Sequence, residues 1–276
     1  MEELSQYKCQ TPVVFIIFNR PEETRKTLMA IKKVEPKQLF VIADGPREWV
    51  PDDKNSVREC RDLLMLIDWE CDVVEIFSEE NLGCMRRIIT GLDMIFKSTD
   101  RAIILEDDCV PSVNFFRFTE WGLNEFRDDP QIGMISGSNL ISHKHKTELR
   151  NGFSRLINIW GWATWKSVWV RHNQFLSIQE VQKKTAEILR SMNYNWWQSM
   201  FWRELFKYTV YAGSTWDFQL QYTFFKLNLF SVYPRNNLIN NIGFRGNGTH
   251  TNINEPEYIV KNTPDEGSDV MDFSQD

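Results

Sequence analysis

Ile103-Ile104-Leu105-Glu106-Asp107-Asp108-Cys109-Val110-Pro111 joins an apolar run directly to three consecutive carboxylates and closes on a proline. The apolar residues read as a buried strand, and the proline, which has no N–H for a ladder, as its stop. Adjacent carboxylates repel one another. Three of them at the end of a buried strand call for positive charge, and a hard divalent cation carrying a phosphate-bearing ligand supplies it. The competing reading is an acidic turn that faces water. In a strand, alternate residues share a face, so Glu106 and Asp108 are expected to point one way and Asp107 the other.

Around this stretch, apolar runs alternate with helical patterns. Val13–Phe18 reads as a strand, followed by Asn19-Arg20 and a helix opened by Pro21, Glu22 and Glu23 that runs to about Val34. Proline suits a first helical turn, and acids suit the helix dipole there. Leu39–Ala43 is the next strand, ending in the turn Asp44-Gly45-Pro46. Asn55 is placed to cap a helix through Leu63, Leu64 and Ile67. Val73–Phe77 is a third strand, and after a loop to Gly83 the residues Ile88, Ile89, Leu92, Ile95 and Phe96 recur at helical spacing. Arg101–Leu105 is the fourth strand, Asn114–Phe126 a helix, and Ile132–Ser136 a fifth strand.

Strand–helix alternation with continuously apolar strands implies an α/β fold with a mostly parallel central sheet flanked by helices. Ligands of such sheets sit at the carboxyl ends of the strands. Asn19-Arg20, Asp44-Gly45, Asn81–Gly83 and Glu106–Asp108 all follow strands, so all four are expected to meet on one rim.

The second half is different in character. Eight of the 11 tryptophans lie between Trp160 and Trp216. Helical patterns cover about Ile178–Arg190, Trp196–Lys207 and Asp217–Lys226, with a short strand at Leu229–Val232. Asn236–Asn254 is polar and rich in glycine and asparagine, which reads as a loop. From Asp265 onward the chain carries five acids and no base, the signature of a disordered tail. No linker or repeat interrupts the rest. The expected organisation is one domain over residues 1–264, with a donor-binding half at about 11–140 and an acceptor and catalytic half at about 141–260, and a tail at 265–276.

The 276 residues carry a net charge of -6, which disfavours a nucleic-acid partner. Five scattered cysteines form no C-x-x-C and no zinc spacing, as expected of reduced thiols. The polar start, MEELSQYKCQ, has no signal-peptide pattern, and no apolar run approaches ~18 residues. The expected setting is cytoplasmic, with at most peripheral contact at the inner face of a membrane.

Several residues carry candidate chemistry beside a plainer alternative. Arg20 can neutralise a diphosphate or lie solvated on the surface. Asp44 can accept from a base or ribose, or simply shape an ordinary turn. Arg86 and Arg87 open a helix whose N-terminus can itself face a nucleotide. Asp217 follows Trp216 at the start of a helix, where an acid is often a dipole partner and, among aromatics, can instead be a general base. Tryptophans usually pack in cores, although sugar faces stack on such rings. His250 lies in a glycine-rich loop able to close over a ligand, and His143 and His145, among lysines, read as solvated. Gly243–Gly248 has no strand–turn–helix around it and is not a dinucleotide fingerprint.

With these residues laid out, the chain resembles the GT-A glycosyltransferases, and more narrowly bacterial relatives of the N-acetylglucosaminyltransferase I family. The likeness spans about Val13 to His250. It rests on Phe18-Asn19-Arg20, the Asp44 turn, Glu106-Asp107-Asp108 with Pro111 and Phe115-Phe116, Gly161-Trp162, and Trp216-Asp217 followed by Tyr233-Pro234-Arg235. The resemblance implies a GT-A nucleotide-diphospho-sugar transferase fold. It also implies a nucleotide-sugar donor (a UDP-sugar such as UDP-GlcNAc) and manganese or magnesium as cofactor. Asp108 would be the metal ligand, Glu106 and Asp107 would contact ribose and sugar, and Arg20, Asp44 and Arg87 would line the nucleotide site. Asp217 would be the catalytic base of an inverting transfer to a glycan or glycolipid acceptor in surface polysaccharide or glycoconjugate synthesis. Trp162, Trp216 and His250 would serve the acceptor or a closing loop. The tryptophan-rich middle departs from the family pattern.

Three alternatives stay open. A retaining glycosyltransferase would differ in the anomeric configuration of its product. A nucleotidyltransferase would want a glycine-rich loop where Asn19-Arg20-Pro21-Glu22 stands. A non-catalytic glycan-binding protein would turn over no donor.

Overall fold

The computed structural model describes residues 7–139, 151–172, 176–213 and 215–244. His143, His145, His250 and the acidic tail lie outside the described residues. The first half builds β1 (Val13–Ile17), α1 (Pro21–Lys32), β2 (Gln38–Ala43), α2 (Asp53–Asp62) with a 3-10 turn at Leu63–Leu66, β3 (Asp72–Phe77), α3 (Cys84–Ser98), β4 (Arg101–Glu106), β5 (Cys109–Pro111), α4 (Val113–Glu125) and β6 (Ile132–Ser136). The second half adds β7 (Gly152–Ser154), β8 (Trp162–Trp165), α5 (Lys166–Trp169), α6 (Ile178–Ser191), α7 (Trp196–Ala212), α8 (Asp217–Leu227), β9 (Phe230–Tyr233) and β10 (Ile239–Asn241).

Eight strands form one sheet in the order β3-β2-β1-β4-β8-β6-β9-β7. β1 pairs in parallel with both β2 and β4, and β2 pairs in parallel with β3. β8 lies antiparallel between β4 and β6, and β7 runs antiparallel along β9. The fold is thus α/β with a large, mostly parallel central sheet and flanking helices. From β1 the chain winds outward through β2 to β3, then returns to β4 on the other side of β1. Right-handed crossovers therefore put α1 and α2 on one face and α3 on the other. They also leave a crevice at the carboxyl ends of β1 and β4, where the winding reverses.

Local chemistry supports each element. Pro21 opens α1, with Glu22 and Glu23 in its first turn and Lys32 in its last. Ser112 caps α4 by accepting from the Phe115 N–H at 3.2 Å. Asn195 and Gln198 form a reciprocal capping box on α7, which Gly213 ends at φ 59°. All five residues of β1 and all but the two end residues of β4 are buried, as befits central strands covered on both faces.

Several elements differ from expectation. β4 reaches Glu106, and Asp107-Asp108 then form a turn rather than a strand continuation. Asp107 and Asp108 therefore do not alternate in facing as successive strand residues would. Pro111 does not halt the chain. It ends β5, which pairs antiparallel with β10 through Ile239 opposite Pro111. That second, two-stranded sheet occupies part of the segment read as a loop from Asn236. α2 begins at Asp53, not with Asn55 as cap, because Asp53 is drawn inward by Arg47 and Asn19. The Trp162–Trp165 patch is a buried strand, and α7 runs on to Ala212.

One core cluster covers the sheet; a smaller one, with Val181, Leu189, Phe206, Tyr222 and Phe225, joins α6, α7 and α8. His172 sits at the edge of these, 7% exposed, with its ring 5.0 Å from that of Trp169. Its Nδ1 lies 3.2 Å from the Thr223 hydroxyl, and its Nε2 has no partner among the described residues. Burial lowers its pKa to about 4. Because the folded value lies below the unfolded one (~6.5), the unfolded chain binds this proton more readily between the two. Stability from this residue is fully present above ~6.5 and is lost as pH falls toward 4, by about 3 kcal/mol in all. Replacing His172 with Gln is expected to flatten the pH dependence of urea unfolding across that window.

Candidate active site

The rim after the parallel strands is held together by a few strong contacts. Asp44, at the end of β2, is 6% exposed. Its Oδ1 accepts from the N–H of Gly45 (3.0 Å) and Leu82 (2.9 Å), and its Oδ2 from that of Gly83 (2.9 Å). Gly83 stands at φ 79°, a conformation that favours glycine, and starts α3. Asp44 thus fastens the β3–α3 loop to the end of β2. Arg61 of α2 assists by donating to the carbonyls of Ser78 (2.6 Å) and Asp44 (3.3 Å). Gly45 has no room for a side chain, since a Cβ there would stand 2.4 Å from the Glu79 carbonyl oxygen.

At the reversal point, Arg20 after β1 faces the acidic turn after β4. One guanidinium nitrogen pairs with Asp107, and another lies 2.9 Å from Asp108 Oδ2. Burial works against the Arg20 charge, but Asp107 and Asp108 outweigh it and raise the pKa. Even so, the cluster holds more negative than positive charge. Burial, then Asp108 and Asp107, push the Glu106 carboxyl well above the usual range. Asp107 is raised as well, by burial and Asp108, with Arg20 opposing. Glu106 is only half-buried by surface, because it opens onto a concave wall that is itself ringed by protein.

These groups share one cavity of about 420 Å³. Arg20, Asp44, Arg87, Glu106, Asp107 and Asp108 line it, and from the second half so do Trp216 and Asp217. Arg87 is buried and donates to the Ile76 carbonyl at 3.0 Å; burial lowers its pKa, and its Nε has no partner among the described residues. Asp217 is the first residue of α8. Trp216 before it is buried and stacks on Trp162 with ring centroids 5.6 Å apart. Trp162 is 1% exposed and does not line the cavity, so its place is in the packing that anchors Trp216 and not against an acceptor. His250 lies outside the described residues.

The cavity also includes residues that sequence reasoning did not nominate. Trp160 lines it, separated from Trp162 by Gly161 at φ 65°, which turns the two rings apart. Arg47 lies over the Phe18 ring at 5.4 Å and pairs with the buried Asp53. Its only sequence signal was its position just beyond the Asp44 turn. Cys84 opens onto the cavity from the first turn of α3. Its thiol is pushed up to about 12 by desolvation and then by Glu106, Asp217, Asp44 and Asp107, so carboxylates from both halves of the chain converge on it.

Beyond Asn241 the backbone packs on the acidic turn. The Ile242 N–H donates to the Asp108 carbonyl at 2.8 Å, and a Cβ on Gly243 would stand 2.3 Å from Asp108 Oδ2. The chain therefore runs directly past Asp108 before Phe244 meets the edge of Trp160 at 5.6 Å.

No family model matches the chain, and no curated protein matches its sequence. Among solved structures, it is similar to mouse xyloside xylosyltransferase 1 in its apo form, at 11% identity over 79% of this chain and 83% of that one, with a TM-score of 0.39. It is also similar to the inositol-1-phosphate CTP transferase from T. maritima, at 12% identity over 66% and 83%, TM-score 0.34. HddC from Yersinia pseudotuberculosis is similar at 12% identity over 56% and 77%, TM-score 0.34.

Asp44 supplies a direct check on this architecture. Asp44→Asn would turn an amide NH2 toward backbone N–H donors. The expected result is a loss of about 1–3 kcal/mol in urea unfolding, together with a looser 78–83 loop seen as faster amide exchange at Leu82 and Gly83.

Proposed function

We propose that the chain is a metal-dependent, inverting glycosyltransferase of the GT-A type, related to the N-acetylglucosaminyltransferase I group. It would move a sugar from a nucleotide-diphosphate donor, a UDP-sugar, to a hydroxyl of a glycan or glycolipid. The observation that carries this reading is that Asp217, from the second half, lines the same cavity as the strand-end acids and arginines of the first.

Charge supports the donor class and the cation together. Five carboxylates and three guanidiniums line the cavity. A diphosphate entering alone would meet a surplus of like charge. Among the described residues no three His, Cys, Asp or Glu side chains form a metal-binding group. This donor set fits manganese or magnesium held by one or two carboxylates with ligand oxygens completing the shell, and does not fit an all-protein cage. Asp108, beside Glu106 on the cavity wall, is the residue assigned to hold it. When bound, the ion supplies charge neutralisation for a departing diphosphate.

The chain's own groups do the rest. Arg20 and Arg87 bind and orient phosphate oxygens, and Arg20 also keeps Asp107 and Asp108 from repelling each other. Glu106 and Asp107 accept from hydroxyls of ribose and sugar. Asp217, carried on α8 and braced by Trp216 on Trp162, accepts the proton of the acceptor hydroxyl. The oxygen so freed attacks the anomeric carbon from the face opposite the diphosphate, which inverts that centre. Trp160, on the cavity wall, offers a ring for an acceptor sugar.

Asp217→Asn is expected to keep UDP-sugar affinity within a few-fold and to lower transfer by roughly 10²–10⁴-fold. Transfer near the wild-type rate would put the base elsewhere. NMR of the product should show an inverted anomeric centre, and retention would replace the inverting reading. Asp108→Ala is expected to abolish the manganese dependence of UDP-sugar binding in calorimetry while leaving the fold intact. Binding of glycans without any release of nucleoside diphosphate would favour a non-catalytic sugar-binding protein.

A further inference from the structure

α7 is apolar on both of its faces. Phe206 turns inward to Tyr222 and Phe225, which accounts for one side. The other side carries Trp197, Phe201, Tyr208 and Tyr211, between 62% and 77% exposed. At about 100° per residue these four fall within roughly 40° of one line along the helix. They run over about 21 Å, at 1.5 Å per residue. Trp196, 62% exposed, extends the patch at the N-terminal end and packs on Trp197 at 4.5 Å. The exposed aromatic surface is on the order of 500 Å², at the upper end of what a monomer leaves uncovered without a partner.

The make-up of the stripe and its surroundings narrows the partner. The rings are Trp and Tyr with one Phe, and no Leu, Ile or Val stands on that line. Trp and Tyr, apolar in body and polar at the tip, favour the boundary between headgroups and acyl chains. Glu204, the one acid on the line, is neutralised by Lys207 at 2.9 Å and Arg203 at 3.3 Å. Residues 151–212, which include α5, α6 and α7, hold eight Lys or Arg, three Glu and no Asp, in a chain whose net charge is -6. The remainder of the chain is therefore acidic, and this region is a basic stretch within it. A second copy docking stripe to stripe would bring two basic regions together, whereas an anionic lipid surface complements one.

We propose that the outer face of α7 seats the protein on an anionic membrane, with the aromatic stripe in the interfacial layer. No described helix is long and apolar enough to span a bilayer, so the contact is peripheral. α7 ends at Ala212, and Asp217 follows five residues later. A membrane held against α7 therefore lies one short connection away from the start of α8 and the candidate base. This goes beyond the transfer chemistry and does not depend on it, because lipid binding is read without turnover.

The test is co-sedimentation of the full chain with vesicles of phosphatidylglycerol and phosphatidylethanolamine, beside vesicles of phosphatidylcholine. The expected result is binding to the anionic vesicles that weakens as salt rises, and at least tenfold weaker binding to phosphatidylcholine. Trp197→Ala with Phe201→Ala should reduce anionic binding at least tenfold, and Tyr208→Ala with Tyr211→Ala should do so independently, with melting temperatures unchanged. Circular dichroism of each variant separates loss of binding from loss of fold. Absence of vesicle binding, or binding untouched by both pairs, overturns the proposal. So does a stable dimer in light scattering that these variants dissociate, because the stripe would then be an interface between copies. Transfer to a water-soluble acceptor should persist in both variants. Loss of vesicle binding with transfer intact would concern this inference alone, and the converse would concern the transferase reading alone.

Discussion

The contest between apolar burial and carboxylate desolvation in β4 governs the architecture of the site. Burying each of Ile103, Ile104 and Leu105 stabilises the fold by roughly 1.5–3 kcal/mol. That gain pins the strand between β1 and β8, and it carries the acids that follow to a partly dry position whether or not they suit it. Desolvating a carboxylate costs several kcal/mol, and the cost is tolerated only where a counter-charge is close. Arg20 is that counter-charge. It emerges from β1, the neighbour of β4, so the pairing follows from strand register: Ile16 lies opposite Glu106.

A single arginine cannot satisfy three acids. The carboxyls of Glu106 and Asp107 remain displaced upward, first by burial and then by one another. The proposed cation would make good that residual deficit of positive charge. The other strand ends are arranged so that they do not compete for that role. Asp44 spends its oxygens on the backbone of the 78–83 loop, and Asp53 spends its own on Arg47 and Asn19. The rim thus separates acids that build the wall from acids that face the cavity. Asp44 belongs mainly to the first kind, in keeping with the turn-shaping alternative, and it still lines the cavity.

The second half supplies what the parallel sheet lacks. β8 inserts antiparallel beside β4, which brings Trp162 under Trp216 and sets the start of α8 over the cavity. The small sheet of β5 and β10 brings the backbone of Ile242 and Gly243 against Asp108. The stacking of Trp216 on Trp162 helps deliver Asp217 to the site. A fold with a different covering of β4 would leave the acids in place and separate them from the base candidate.

The strand–helix alternation, the parallel core and the four polar strand ends were legible in sequence, because continuous apolar runs and breaker residues are local signals. So were Arg20 and the acids at and just after the end of β4 as a group, since charge at the end of a buried strand has few structural uses. Tertiary structure alone decided which acids face each other. Asp107 and Asp108 share Arg20 because a turn, and not a strand, follows Glu106, and a one-residue difference in strand length reverses which side chains share a face. Tertiary structure also placed Trp160 on the cavity and Trp162 behind it, through a positive φ at Gly161 that no apolar pattern records. β8 and β10 escaped sequence reading for the same reason: strands of four and three residues have too few positions to show a period, and they exist only because partners distant in the chain offer them hydrogen bonds.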